Sequence, residues 1–462
     1  MNKLSKKLNI IKCFFIVSFL GIAIYLIIFN FFEAKYIYSN SYNKRLRNEN
    51  TYIVRGDIQD RNDIILATSK ISNNSIKRDY IYSRHFSHVI GYHSKQIGST
   101  GIEALYDKEL SSAKILDTIK GIINGKEIKG NTVKLTLDKT LQVYASELLG
   151  NRKGSIVALN PKTGEILALV SKPDFNPSKI NANWKNLIED ENSPLLNRAL
   201  DGLYPPGSIF KIITTSAALY GNYKDYEIDC TGSSNVNGYE IKDSNKKGHG
   251  NINLNKAFTL SCNSYFVNLG LKLGNEKLYN EANKFLFNKS ISGNIIAKTS
   301  RFNMKYDNKS LASQSIGQGD VLITPLHAAV IASIIANDGM LLQPYIVSEI
   351  KDINGKTIKS FKSKSANVII DADKAKTIKE MMVNVVKSGT GKSAKISGIE
   401  VAGKTGTAEN PHGKPHSWFI GFAPAEDPQI AIAVIIENGG SGGSNAAPIA
   451  GKVMKKAISV LK

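Results

Sequence analysis

A serine hydroxyl and a lysine amine stand three residues apart in Pro205-Pro-Gly-Ser-Ile-Phe-Lys211. A helix starting after the Pro-Pro-Gly breaker puts Ser208 and Lys211 on one face, about one turn apart. Serine attacks a carbonyl well only when a base lies within hydrogen-bond reach, and a lysine with a lowered pKa can be that base. A helix start also offers backbone N–H groups and a positive dipole end, which suit an oxyanion. The chemistry this arrangement would support is acyl transfer through a serine ester. Alone the signal is weak, because Ser-x-x-Lys also occurs on solvated helix faces.

Two later segments sharpen it. Ser261-Cys262-Asn263 lies within Leu260–Phe266, and Lys404-Thr405-Gly406-Thr407 lies within Val401–Ala408. Ser-x-x-Lys, Ser-x-Asn and Lys-Thr-Gly, in this order, form the motif set of penicillin-binding proteins and class A β-lactamases. Cys262 stands where the middle motif is usually written with Asp. On these motifs the sequence resembles a penicillin-binding protein. Arg55-Gly-Asp-Ile-Gln-Asp-Arg61 and Gly98-Ser-Thr-Gly-Ile-Glu-Ala-Leu-Tyr106 look like two segments of the non-catalytic pedestal of class B members. Asp63 stands where that family usually has Gly, which puts the local turn in question.

The resemblance implies a role for each residue. Ser208 is the nucleophile toward a D-alanyl-D-alanine peptide and Lys211 its base. To be neutral, Lys211 must be buried or lie near another cation, for which Lys404 is the candidate. Ser261 relays a proton between Ser208 and the leaving amine. Asn263 can hold both Lys211 and the substrate amide, since its side chain donates and accepts. Taken alone, Ser-x-Asn reads equally as a helix cap. Lys404 and Thr405 suit a substrate carboxylate, and Gly406 allows close approach to the backbone. The resemblance places the oxyanion hole at the N–H groups of Ser208 and Thr407. Residues 398–405 also match the Walker A pattern, but their apolar residues read as strand, and Asn410-Pro411 follows where that loop needs a helix.

These residues need a scaffold, and the flanking sequence predicts one. Gly154–Ser171 holds two apolar runs around Pro161-Lys-Thr-Gly164, a β-hairpin signature. Gly398–Glu409, His416–Ala423 and Gln429–Glu437 read as strands, and Ala447–Leu461 as a closing helix. Helical periodicity covers Ser208–Tyr220, Leu254–Leu273 and Thr324–Asn337, and Thr136–Leu149 with Thr136 or Asp138 as cap. Strands at both ends of the domain with helices between them predict an α+β fold, an antiparallel sheet of about five strands flanked by helices. The resemblance implies the same transpeptidase/β-lactamase-like architecture. Gly317–Leu326 reads as a turn before a helix with Pro325 near its start, and the aromatics of Trp418–Phe422 as core.

Residues 13–32 contain only Ser18 and Asn30 as clearly polar residues and are long enough to span a bilayer. Lys3, Lys6, Lys7 and Lys12 precede them, which predicts a cytoplasmic N-terminus and an exported remainder. No Ala-x-Ala site follows, so an uncleaved anchor is expected rather than a signal peptide. The expected organisation is a tail at 1–12, an anchor at 13–32, a mixed α/β pedestal at 33–137 and a transpeptidase domain at 138–462.

The 462 residues carry a net charge of +21. Lys and Asn are spread along the chain, which fits codon bias better than a dedicated anion surface, although anionic lipids and wall polymers would be attracted. No motif supports nucleic-acid binding. Of the cysteines, Cys13, Cys230 and Cys262, the last two could pair, but two cysteines carry no spacing signature and free thiols are the better reading; no Cys/His spacing suggests a metal site. No cofactor is expected. The resemblance implies peptidoglycan stem peptides, β-lactams, the cytoplasmic membrane and a SEDS-type glycan polymerase as partners. A β-lactamase or sensor, a D,D-carboxypeptidase and a scaffold with a dead site are the rival readings. Glu276-Lys-Leu-Tyr-Asn280 only loosely echoes the deacylating element of the first.

Overall fold

A computed structural model describes residues 3–29, 53–72, 75–113, 128–291, 293–363, 366–411 and 413–461. The end of the expected anchor (30–32) and the start of the expected pedestal (33–52) lie outside the described residues. Lys3–Ile28 is one 26-residue helix. Its apolar side chains, Phe14, Phe15, Val17 and Phe19 among them, are exposed. Its described side chains run from Ile11 to Leu26, and among the described residues no helix is long and apolar enough to cross a membrane.

The N-terminal unit is built on a six-stranded sheet. Its order is Thr357–Ser360, Val347–Lys351, Thr132–Leu135, Ile58–Gln59, Ile65–Ser72, Ser75–Tyr80. All neighbours are antiparallel except Ile58–Gln59 beside Thr132–Leu135. Two strands therefore come from far beyond residue 138, so one cut at 137/138 does not describe this sheet. Val347 and Ile350 are buried, and the hairpin turns at Asp352, whose carboxylate accepts from the N–H groups of Asn354 and Lys356.

The two pedestal-like segments meet in a buried ion cluster. Arg55 reaches the Glu103 carboxylate at 2.5 Å and Asp107 at 2.5 Å, and Arg78 reaches Glu103 at 2.7 Å. Burial alone would push the Glu103 carboxyl up, but Arg78 and Arg55 hold it at about 2. Removing one partner of such a cluster strands the others in a dry interior. Glu103→Ala should therefore lower stability by about 3–5 kcal/mol. Denaturant unfolding checks this, and a loss below 1 kcal/mol, on the order of a surface pair, would contradict it. Asp63 adopts φ 61°, the left-handed conformation that favours Gly, and its carboxylate pairs with Lys134 and Lys351. The turn thus forms with Asp in that position.

The catalytic unit starts with helix α1 (Lys139–Leu149), capped by Asp138, which accepts from Leu141 N–H at 2.9 Å. The hairpin β1 (Gly154–Leu159) and β2 (Ile166–Lys172) follows. Next come α2 (Lys211–Tyr220), α3 (Asn263–Leu273) and α4 (Pro325–Ala336), then β3 (Ala402–Ala408), β4 (His416–Ala423), β5 (Ile430–Ile436) and α5 (Ala446–Val460). The sheet order is β2-β1-β5-β4-β3, antiparallel throughout. Alternation along β5 explains its unbroken apolar run. Ile430, Ile432, Val434 and Ile436 pack with Leu141, Val453 and Met454 of α1 and α5. Ala431, Ala433 and Ile435 face the core that contains α4. A strand covered on both faces has no reason to alternate with polar residues. α4 is buried over its whole length, with Thr324 as its cap and Pro325 at its first position.

Candidate active site

Ser208 lies in a tight 3-10 turn, Gly207–Phe210, that leads straight into α2. The expected helix over Ser208–Tyr220 thus becomes α-helical only at Lys211. Two contacts set this turn. Gly207 N–H donates to Gly317 O at 2.8 Å, and a Cβ on Gly317 would sit 2.2 Å from Gly207 O. The Gly317 segment is therefore a clasp on the nucleophile turn, which requires a residue without a side chain. The Trp418 indole N–H donates to Pro205 O at 3.1 Å. Trp418 is core, as expected, and it also holds this turn.

Leu254–Leu273 is not one helix. It breaks at Ser261, with φ 59° in the left-handed region, and at the extended Cys262. A non-glycine residue there costs about 1 kcal/mol, strain of the kind found at functional corners. Helical periodicity hides the break because apolar residues continue on both sides of it. The corner turns Ser261 toward two lysines. Lys211 Nζ donates to Ser261 O at 2.7 Å and to Asn263 Oδ1 at 2.8 Å, with Ser261 Oγ at 3.4 Å. Lys404 Nζ donates to Ser261 Oγ at 2.8 Å. The lysines also lie over the rings of Phe266 and Phe258.

Both lysines are fully buried. Burial pushes Lys211 down to about 8, partly offset by Cys262 and the Asp243 carboxylate. Lys404 is also held well below an ordinary lysine, by burial and then by repulsion from Lys211. Of the two expected causes, burial and a neighbouring cation, burial is the larger for Lys211. Two ammonium groups about one serine in a dry pocket resist carrying two protons, so the pair is poised to exchange one through Ser261. Ser208 is half-buried, and its Oγ makes no hydrogen bond among the described residues; a free site is commonly looser than its substrate complex.

β3 carries the third motif along the same cleft. Thr405 Oγ1 lies 2.5 Å from Thr390 Oγ1, and exposed Thr407 accepts from Gly442 N–H at 3.3 Å. A Cβ on Gly406 would meet Trp418 at 2.9 Å and Pro206 O at 3.0 Å. Gly406 thus lets β3 pack against the Ser208 turn, a different reason from ligand approach. No helix follows β3, which removes the phosphate-loop reading. Glu276 lies exposed in the first turn of the Asn275–Lys284 helix, outside the motif cluster. A cavity of about 320 Å³ lined by His88, Asn197, Asp201 and Lys298 contains no motif residue, so motif geometry, not cavity size, locates the site.

Two readings missed residues here. Asp243 accepts from the N–H groups of Asn263 and Ser264 and from Ser264 Oγ, anchoring the start of α3. One cluster of ligand-type side chains also escaped the spacing pattern. Donor atoms of Cys230, Asp243, His249 and Cys262 all lie within 4.8 Å of one another. They are too far apart in sequence for a ligand-spacing pattern, and the pairing of Glu227–Cys230 with Gly250–Asn253 brings them together. Cys230 and Cys262 are not joined by a disulfide here.

Comparison with known proteins places this geometry. A family model described as the penicillin-binding protein transpeptidase domain matches residues 154–455. The chain belongs to the penicillin-binding protein transpeptidase family. A second model, the penicillin-binding protein A dimerisation domain, matches residues 55–133 of this penicillin-binding protein. The peptidoglycan D,D-transpeptidase PbpA of Mycolicibacterium smegmatis is 34% identical over 420 residues, covering 80% of this chain and 82% of that protein. The peptidoglycan D,D-transpeptidase MrdA of Acinetobacter baumannii is 32% identical, covering 80% and 64%. Among solved structures, penicillin-binding protein A from M. tuberculosis as its ceftriaxone acyl-enzyme complex matches with a TM-score of 0.84 and 31% identity, covering 88% of this chain and 99% of that one. The three motifs of the penicillin-binding protein are thus found in a family-typical frame, with Cys262 inside the middle one.

Asn263 supplies the side-chain acceptor for Lys211. Asn263→Ala should slow acylation by a labelled penicillin about 100-fold, within the range for a positioned proton-transfer group. Stopped-flow labelling reads this directly, and a rate within about twofold of the parent would remove Asn263 from the machinery.

Proposed function

We propose that this chain is a membrane-anchored class B peptidoglycan D,D-transpeptidase. Ser208 attacks the carbonyl of the penultimate D-alanine in a stem peptide ending in D-alanyl-D-alanine. Its proton passes toward Lys211, and Ser261 delivers a proton to the departing D-alanine amine. The resulting ester is then attacked by an acceptor amine, which frees Ser208 and forms the cross-link. Thr405 and Thr407 bind the terminal carboxylate while buried Lys404 holds the Ser261 hydroxyl, and the N–H groups of Ser208 and Thr407 face the oxyanion. The observation that carries this reading is the buried Lys211–Ser261–Lys404 chain beside Ser208.

β-Lactams acylate the same serine. The M. tuberculosis relative solved as ceftriaxone, imipenem and penicillin G acyl-enzymes supports this. The lysine-rich start and exposed apolar side chains of the Lys3–Ile28 helix support a single-pass anchor in a bacterial cytoplasmic membrane. In that arrangement the N-terminus is cytoplasmic, the catalytic unit is extracellular, and a SEDS-type glycan polymerase docks on the anchor and pedestal.

The test supplies full-length protein, reconstituted in vesicles with a glycan polymerase, with uncross-linked lipid-linked substrate. Dimeric muropeptides should form and vanish with Ser208→Ala. Released D-alanine without dimers would make the enzyme a carboxypeptidase, and neither product would overturn the reading.

A further inference from the structure

The sequence between the first and second motifs makes an excursion that returns to the active-site corner. Cys230 ends the strand Glu227–Cys230, Asp243 follows the strand Tyr239–Lys242, His249 precedes the strand Gly250–Asn253, and Cys262 caps α3. Cys230 Sγ lies 3.3 Å from Cys262 Sγ, 3.3 Å from His249 Nδ1 and 3.3 Å from Asp243 Oδ2. Cys262 Sγ lies 3.6 Å from the same Asp243 oxygen. Cys230, Asp243 and Cys262 are buried and His249 is half-buried.

Four of the six donor-to-donor separations are 3.3–3.6 Å and all six lie within 4.8 Å, close enough for small side-chain adjustments to close the set around one ion. Zinc–sulfur bonds of about 2.3 Å and zinc–nitrogen or –oxygen bonds of about 2.0–2.2 Å give ligand-to-ligand edges of roughly 3.3–3.8 Å. Two sulfurs, an imidazole and a carboxylate form a borderline-soft set that favours zinc over magnesium or calcium. Four protein ligands leave no open position, the mark of a structural rather than a catalytic site. Lys211 acts on Asp243 and Cys262 across the corner, but among the described residues no lysine or arginine hydrogen-bonds any of the four side chains, which leaves their donor atoms turned toward one another.

We propose that Cys230, Asp243, His249 and Cys262 bind one structural Zn²⁺ that braces the active-site corner. The outer contacts fit such a site. Ser264 Oγ donates to Asp243 Oδ2, Tyr265 N–H donates to Cys262 Sγ, and His249 N–H donates to Cys230 O. Asp243 has two faces: Oδ2 meets the sulfurs, and Oδ1 accepts the Asn263 N–H. Cys262 itself separates Ser261 from Asn263. The ion thus ties the 231–249 loop to the residues that hold Lys211, and it fixes the left-handed Ser261 without touching substrate.

The test uses the full-length protein, purified under reducing conditions in detergent without added metal. Elemental mass spectrometry should find about one zinc per chain. Chelation should lower the melting temperature by several degrees and slow acylation by labelled penicillin, and zinc should restore both. Cobalt added to the stripped protein should give thiolate charge-transfer and tetrahedral visible bands. Cys230→Ser should lose the charge-transfer intensity it contributes, and His249→Asn, a milder change, should weaken metal affinity at least about tenfold. Reduced parent protein that neither carries zinc nor develops cobalt bands would overturn the proposal. So would a Cys230–Cys262 disulfide in the purified protein with no metal uptake after reduction. Metal content is read independently of transpeptidase activity, so the two readings fail separately.

Discussion

Ser208→Ala will remove all covalent labelling of this protein by penicillin, a loss of at least about 10⁴-fold in acylation rate. No neighbouring group can substitute. Lys211 and Lys404 are buried and committed to Ser261, and the Ser261 hydroxyl sits between them. The Ser208 turn is held by Gly317 O, the Trp418 indole and β3, none of which involves the serine hydroxyl. The variant should therefore fold and melt like the parent. Gel fluorescence after long incubation checks it, and residual labelling at the same site would mean that Ser208 is not the nucleophile.

Lys211→Met is expected to slow acylation about 10³-fold, in the range for loss of a general base. The sign of its pH dependence follows from burial. Lys211 is held at about 8, below an ordinary lysine, and only the neutral amine can accept the serine proton. The neutral fraction grows as pH rises and levels off above about 8, so the parent's acylation rate should climb through that range. In Lys211→Met the rate should be low and should lose that rise. Methionine keeps similar volume and removes a buried charge, so the loss should not come from unfolding. A parent profile flat from pH 6 to 9, on the order of one pKa unit either side of the expected midpoint, would contradict the assignment.

The sequence made the chemistry more legible than its support. Ser208, Lys211, Ser261, Asn263 and Lys404 were readable because acyl transfer restricts residue type and spacing. The β5 strand and the β1–β2 hairpin were readable because period and turn residues act locally. The left-handed corner at Ser261 was not, since the apolar pattern runs on through the break. The return of Val347–Ser360 to the N-terminal sheet was hidden because partners more than two hundred residues apart leave no local mark. Asp243 and His249 were missed for the same reason: the short strands on either side of them bring them to Cys230 and Cys262. That Lys211 needs burial or a neighbouring cation was legible from its chemistry; that burial is the larger cause is a tertiary fact.

The most direct measurement is the mass of the intact protein, and of its proteolytic peptides, after a short exposure to benzylpenicillin. The account predicts one penicilloyl group per chain, on the peptide containing Ser208, persisting long after free drug is removed. An adduct on another residue, no adduct, or release within seconds would contradict it.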